Sequence, residues 1–340
     1  MTIDPKVAVT VAAAFLAYRL YSAWTSRTMD AGRPPHEPTV ADVLVAKAML
    51  TKALTLPPEI VDTIVDLAEY WPHTTTELND STVVARGNTQ MGTSPRAENL
   101  FLLRSPPLGL HNWKRVSRAT DSPVDRTVLK PQPPGEEFSA NDFQELIASP
   151  IPLLAHPCRR IVFTIRSHDQ GFGNVIGDRG TYNGSWTWFE AGLERWCKSS
   201  PAQTSPAGQE PQQHQHPSLS LENLCTVFPE VEWDSQVQQD YIFNHPLNPR
   251  DDLKVQCNVT AERATVVHRV VWSYTDDINP ERDVKAAAKL AEQGRGKATG
   301  DGKFVRDLRL GDIVTLWAKA RFPLWANFVE SVRMDVYYAV

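Results

Sequence analysis

The feature that most restricts the fold of this chain is a change of pattern at Thr82. From there to the C-terminus, short runs of Val, Leu, Phe and Trp alternate with Gly, Pro, Asn and Asp. Short hydrophobic runs between turn residues are typical of antiparallel strands. The predicted strands are Thr82–Arg86, Asn99–Arg104, Arg160–Ser167, Ser185–Glu190, Leu253–Thr260, Val266–Tyr274, Ile313–Phe322 and Glu330–Ala339.

These strands do not alternate regularly with helices, so the sequence predicts a mainly β domain over residues 80–340. We expect an antiparallel two-sheet sandwich that is jelly-roll-like. Short helices are predicted near Ser139–Ala148 and between Asn279-Pro280 and Gly294. Two loops, near residues 118–137 and 198–218, are Pro-rich or lack large hydrophobic residues, which predicts disorder.

A helical hairpin is predicted before this domain, at residues 39–72. Thr39 and Asp42 have the spacing of a capping box at the start of the first helix. Pro57-Pro58 favours the first turn of the second helix, which ends at Trp71-Pro72. The hairpin is too small for a hydrophobic core of its own.

The first 31 residues have two interpretations that stay open. Val7–Ala17 is an apolar run about half as long as the roughly 20 residues that span a bilayer, with Arg19 following it. Residues 7–24 are either a short anchor or targeting segment, which implies membrane association, or an Ala-rich helix in a cytoplasmic protein.

Composition excludes several classes of function. The net charge is −5 and Lys and Arg are dispersed, which argues against a nucleic-acid partner. The four cysteines lie far apart without a CxxC pair, so no metal site and no other cofactor is predicted. We expect reduced thiols, with two disulfides as the alternative.

The long turn between Ser167 and Phe189 is the first candidate binding segment. It has five glycines and ends in Trp186 and Trp188, which share one face of a strand. A phosphate-binding loop leads into a helix, whereas here a strand follows, so the sequence predicts a long β-turn. If the chain binds a ligand, we expect His168, Asp169, Gln170 and Asp178 to contact it.

The strand that begins at Ile313 is the second candidate segment. Trp317, Lys319 and Arg321 share one face, which the sequence predicts to be half exposed and suited to cation–π or ligand contacts. Pro323 ends this strand and presents Trp325 on a loop. Arg321 and Trp325 therefore complete the set of predicted ligand-binding residues.

The predicted function is a non-catalytic interaction or ligand-binding protein, whose protein partner or small ligand the sequence does not identify. A GxSxG motif and a Cys/His catalytic signature are both missing, and no catalytic residue is predicted. The alternative is a hydrolase that uses the carboxylates of the Asp169–Glu190 segment, as glycosidases use paired carboxylates.

Two segments of the chain resemble known proteins. The stretch Leu56-Pro-Pro-Glu-Ile-Val-Asp-Thr-Ile-Val-Asp-Leu-Ala68 resembles the opening helix of an F-box, which implies a ubiquitin-ligase adaptor as a further alternative. The blocks around Ser167–Phe189 and Gly300–Val340 resemble a group of uncharacterised proteins from filamentous fungi, and this resemblance implies no activity.

Overall fold

The computed structural model divides the chain into two compact units, Met1–Pro72 and His73–Val340. The described residues are 37–85, 98–110, 127–133, 135–138, 154–173, 175–198, 223–236 and 239–340. The predicted helix near Ser139–Ala148 and the loop at residues 199–218 lie outside them. The apolar run Val7–Ala17 does too, and none of the described helices combines the length and apolarity that crossing a membrane requires.

The first unit contains the predicted helical hairpin, formed by α1 (Val40–Leu54) and α2 (Pro58–Leu67). The predicted capping box is confirmed, since the Asp42 N–H donates to the Thr39 hydroxyl and the Thr39 N–H donates to the Asp42 carboxylate. The stretch that resembles an F-box helix forms α2. Its role as an adaptor stays a prediction.

The second unit is mainly β, as predicted, and also contains α3 (Val284–Glu292) and α4 (Lys303–Asp307). Within the described residues it has twelve strands. They are β1 (His73–Leu78), β2 (Thr82–Ala85), β3 (Asn99–Arg104), β4 (Cys158–His168), β5 (Thr187–Trp196), β6 (Leu224–Phe228), β7 (Val231–Asp234), β8 (Asp240–Phe243), β9 (Lys254–Cys257), β10 (Val266–Ser273), β11 (Ile313–Ala320) and β12 (Ala326–Tyr338).

Two five-stranded antiparallel sheets form the sandwich. The first sheet has the order β1-β12-β4-β10 with β2 also paired to β12, and the second has the order β3-β11-β5-β6 with β9 also paired to β5. Strands β7 and β8 form a separate hairpin. If β2, β6, β7 and β8 are left out, eight strands remain, and we renumber them 1 to 8 in chain order. The first sheet then has the order 1-8-3-6 and the second sheet has the order 2-7-4-5. This is the strand order of a jelly roll, with each sheet taking strands from both halves of the chain.

A buried network of polar side chains joins the two sheets at one end. Asn258, just after β9, accepts a hydrogen bond from the Ser167 hydroxyl of β4 at 2.7 Å. Its amide donates to Thr187 Oγ1 of β5 at 3.0 Å and to Asn327 Oδ1 of β12 at 2.9 Å. Ser167 belongs to the first sheet and Thr187 to the second, and both bind the side chain of Asn258 between the sheets. The face of β5 that carries Thr187 and Phe189 therefore points toward the first sheet.

The structure differs from the sequence prediction in the strands it adds. Strands β1, β6, β7 and β8 were not predicted, because their residues are polar or only partly buried and lack a clear alternation. The end of the segment predicted to be disordered also makes specific contacts. Glu137 forms an isolated β-bridge with Cys197, and its carboxylate forms ion pairs with Arg195 and Arg309. These ion pairs hold a residue in place that is too polar to be fixed by burial.

The first prediction concerns Asn258. Replacing it with Ala removes the shared partner of Ser167, Thr187 and Asn327, and leaves buried polar groups unsatisfied. We expect Asn258→Ala to lower the free energy of unfolding by about 2–4 kcal/mol, measured by urea denaturation. The exposed control Lys285→Ala should change it by less than about 0.5 kcal/mol. Equal stabilities of the two variants would contradict this role of Asn258 at the junction.

Candidate ligand-binding site

The second sheet is covered on both faces, and its outer face carries charged side chains. Every residue of β11 is buried. Val314, Leu316 and Ala318 point toward the first sheet, so Thr315, Trp317 and Lys319 lie on the other side. We call this other side the outer face; it also carries Trp188, Glu190, Gly192 and Glu194 of β5.

The prediction that this face is half exposed is wrong. Trp317 is 5% exposed, Lys319 is 2% exposed and Arg321 is 3% exposed. The reason is the segment between β6 and β9, where the sequence predicts no strands; we call it the covering segment. It lies over the outer face, where Phe243 and His245 pack against the Trp317 ring at centroid distances of 5.7 Å and 5.2 Å.

At the centre of the outer face, Glu190 and Lys319 form a buried ion pair. Glu190 Oε1 also accepts hydrogen bonds from the Trp188 indole at 2.8 Å and from the Arg250 backbone N–H at 3.2 Å. Burial lowers the pKa of Lys319, and the Glu190 carboxylate opposes this shift. A buried ion pair is seldom a net gain in stability, because two charges lose their water.

Arg321 fastens the covering segment to the sheet. Its guanidinium lies 5.0 Å from the centroid of the Trp188 ring, which is the cation–π arrangement that the sequence suggested for this face. The same group donates to the Pro246 carbonyl at 3.1 Å and to Asn99 Oδ1 at 2.9 Å. Arg321 therefore ties the chain at Pro246 to β3 and β5 together.

A cavity of about 230 Å³ lies between the covering segment and the outer face. It is lined by Glu190, Ala191, Pro229, Glu230, Asn244, Pro246, Arg250, Leu253, Trp317 and Lys319. Two negative and two positive side chains thus face the same small volume.

Buried polar atoms without a hydrogen-bond partner lie on or against the outer face, and one of their residues, Trp317, also lines the cavity. Among the described residues, Trp317 Nε1, Thr315 Oγ1 and His245 Nδ1 are buried without a hydrogen-bond partner. The strand residue opposite Thr315 is Gly192, where a Cβ would lie 2.6 Å from the Phe228 carbonyl and 3.1 Å from Trp317 Nε1. Only glycine leaves room for this arrangement.

The neutral state of His245 is enforced by its surroundings. Burial lowers the pKa of His245 to about 3, and the positive charges of Lys319 and Arg321 contribute in the same direction. At neutral pH its imidazole therefore carries one donor and one acceptor nitrogen.

The predicted turn residues lie away from this cavity and hold the turn together. Asp169 is fully buried, and its carboxylate accepts N–H groups of Gly171 at 2.7 Å, Ala261 at 2.7 Å and Glu262 at 3.0 Å. Burial raises the pKa of Asp169, while these three donors oppose the rise. The side chain anchors the turn to the loop after β9.

His168 and Gln170 have similar local partners. The His168 ring stacks on Phe328 with centroids 4.7 Å apart, and its Nδ1 lies 2.7 Å from the Asp169 carbonyl. Gln170 donates to the Phe172 carbonyl at 2.6 Å and accepts from the Ala326 N–H at 3.1 Å.

The remaining predicted residues are dispersed. Asp178 belongs to a short 3-10 turn, Ile176–Asp178, and its carboxylate packs against Gly184. Trp325 is half-buried, one residue after Leu324, whose φ of 76° turns the chain between β11 and β12. None of the six predicted residues lines the cavity, although Arg321 holds its cover in place. Their role in ligand binding stays a prediction.

One signal in the sequence points to the outer face. Trp188 and Glu190 are two residues apart in β5, and Trp317 and Lys319 are two residues apart in β11. In the observed register Trp188 pairs with Lys319 and Glu190 pairs with Trp317. Each of the two strands therefore has a Trp two positions before a charged residue, and the two charges are opposite. This pattern predicts a buried ion pair flanked by indole rings.

No protein-family model, curated protein or solved structure matches the chain. The resemblances to the F-box helix and to the fungal proteins therefore stay predictions. Within the part of the chain that the structure describes, no group of three or more His, Cys, Asp and Glu residues is arranged to hold a metal ion.

The second prediction concerns the buried pair. Lys319→Met leaves the Glu190 carboxylate buried without its cation, and we expect it to lower the free energy of unfolding by about 3–5 kcal/mol. The double variant Lys319→Met, Glu190→Gln removes both charges and should regain at least about half of this loss, measured by urea denaturation. Lys297→Met, at an exposed position, is the control. A single variant as stable as this control would be inconsistent with a buried pair.

The third prediction concerns pH. Burial lowers the folded-state pKa of His245 to about 3 and that of His268 to about 4, against about 6.5 in the unfolded chain. The unfolded state therefore takes up protons first, and stability is lost as pH falls below about 6.5. Between about pH 7 and pH 5 each histidine should remove about 2 kcal/mol from the free energy of unfolding.

The double variant His245→Gln, His268→Gln should lose most of this dependence between the two pH values. The control His73→Gln, at a half-buried ring stacked on Tyr337, should keep it. An unchanged slope in the double variant would show that other groups control acid unfolding.

Proposed function

We propose that this protein is a non-catalytic binding protein that holds a small polar ligand in the cavity over the outer face. The observation that carries the proposal is the buried Glu190–Lys319 pair in the cavity wall. Such a pair contributes little to stability compared with apolar packing. Charged groups kept in a concave, mostly apolar pocket are instead typical of binding sites.

The volume and charge of the cavity restrict the ligand. A volume of about 230 Å³ holds roughly eight water molecules, given about 30 Å³ for each. The positive charges of Lys319 and Arg250 balance the negative charges of Glu190 and Glu230. We therefore expect a small molecule without net charge that offers several hydroxyl or amide groups.

The alternative function is hydrolysis by carboxylates of the Asp169–Glu190 segment. Asp169 already accepts three backbone N–H groups and Glu190 is paired with Lys319. Both carboxyl groups are thus engaged within the fold and Asp169 does not line the cavity, whereas a glycosidase places two carboxyl groups on either side of the scissile bond. The contacts therefore favour binding over hydrolysis.

The fourth prediction tests the cavity as a binding site. We expect at least one compound from a panel of monosaccharides, polyols and neutral amino acids to raise the Tm of the full chain and to bind by calorimetry. Asn244 lines the cavity, so Asn244→Phe should fill it and lower the affinity at least tenfold. Asn248→Phe, in the same covering segment but outside the cavity, should bind as the unmodified protein does.

Two results would contradict the proposal. One is the absence of a Tm shift with every compound, and the other is equal affinity of Asn244→Phe and Asn248→Phe for the compound found. Turnover of a glycoside that is lost in Glu190→Gln would support the hydrolase instead.

A further inference from the structure

Two cysteines that are distant in the sequence lie side by side in the second sheet. Cys225 is in β6, where it pairs with Arg195, and Cys197 follows the end of β5. The Cys197 N–H donates to the Asn223 carbonyl at 2.8 Å, which continues the antiparallel register. Cys197 is two residues from Arg195, so both cysteine side chains lie on the same face of the strand pair.

The two sulfur atoms lie close together. The Cys197 thiol donates to the Arg195 carbonyl at 3.7 Å. Both sulfurs lie 3.6 Å from a single point, the position that a Cβ would take on Gly135. The nearby backbone N–H of Gly135 acts to lower the pKa of both cysteines, so this position favours a thiolate.

The two thiols differ in access and in acidity. Cys197 is buried, whereas Cys225 is half-buried beside the exposed Gly135. The neighbouring Cys197 thiol lowers the pKa of Cys225, although burial opposes this shift, whereas Cys225 and burial both raise the pKa of Cys197. Cys225 is therefore the nucleophile of the pair at neutral pH.

The other two cysteines provide a contrast within the same chain. Cys158 and Cys257 are both buried free thiols. Burial raises the pKa of Cys158 to about 12 and that of Cys257 to about 11. Thiols of this kind are inert toward disulfides at neutral pH.

We propose that Cys197 and Cys225 are a site of reversible oxidation, which closes a disulfide between β5 and β6 when the chain meets a low-molecular-weight disulfide. In the first step the Cys225 thiolate attacks one sulfur of that disulfide, whose S–S bond breaks and releases one small thiolate. That thiolate takes a proton from solvent, and the other half of the reagent remains bound to Cys225.

In the second step Cys197 gives up its proton to solvent and attacks the Cys225 sulfur. The mixed disulfide breaks, the second small thiol leaves, and the Cys197–Cys225 bond forms. The protein loses two electrons and two protons, and the small disulfide is reduced to two thiols. A reducing thiol in excess reverses both steps. The site is independent of the proposed ligand cavity.

The fifth prediction tests this site in the reduced, full-length chain with oxidised glutathione as the probe. We expect the free thiols to fall from four to two, and the intact mass to fall by two hydrogens. Peptide mapping should find Cys197 linked to Cys225, and the rate should rise with pH as the Cys225 thiol, whose pKa is lowered, ionises. Excess reduced thiol should restore the starting mass.

Single variants separate the steps. Cys197→Ser should stop at a stable glutathione adduct on Cys225, whereas Cys225→Ser should react at least tenfold more slowly than the unmodified chain. The controls Cys158→Ser and Cys257→Ser should still form the Cys197–Cys225 link. A lasting adduct in the unmodified chain, a disulfide that includes Cys158 or Cys257, or equal reactivity of Cys225→Ser would overturn the proposal.

Discussion

The ion pair between Glu190 and Lys319 determines how the second sheet has to be covered. Two charges in the middle of adjacent strands are stable only if their remaining hydrogen-bonding capacity is satisfied. Glu190 obtains this from the Trp188 indole within β5 and from the Arg250 N–H of the covering segment. The covering segment is in turn held at Pro246 by Arg321. The sheet and its cover therefore depend on the same charges.

Much of the fold could be predicted because hydrophobic periodicity is local. Strand β3 has the predicted bounds, Asn99–Arg104, and β10 and β11 begin at the predicted residues Val266 and Ile313. The capping box was found for the same reason, since Thr39 and Asp42 are three residues apart and need no distant partner. The jelly-roll class followed from the number of strands and the lack of helices between them.

The burial of the outer face could not be predicted from the same pattern. Alternation divides a strand into two faces, but it does not tell whether a second layer covers the more polar one. Lys and Arg are usually exposed, so the pattern predicts that Trp317, Lys319 and Arg321 face solvent in part. Their partners are distant in sequence: Glu190 lies on another strand, and Pro246 lies in a segment with only short strands. Pairing over such distances leaves no local signal.

The distribution of unsatisfied polar atoms separates the turn from the outer face. In the turn, Asp169 accepts three N–H groups, and at the sheet junction Asn258 uses both its oxygen and its amide. These polar residues are explained by the fold alone. On or against the outer face, Trp317, Thr315 and His245 instead supply three of the six unpartnered buried atoms among the described residues.

The Trp317 ring is packed against Phe101, Phe243 and His245, with centroids 5.2–5.7 Å away. Its N–H therefore cannot turn toward another protein acceptor without breaking these contacts. A buried donor without a partner costs about 1–3 kcal/mol. Trp317 and the Glu190–Lys319 pair line the cavity and none of the predicted turn residues does, which is why the candidate site is assigned to the outer face and not to the glycine-rich turn.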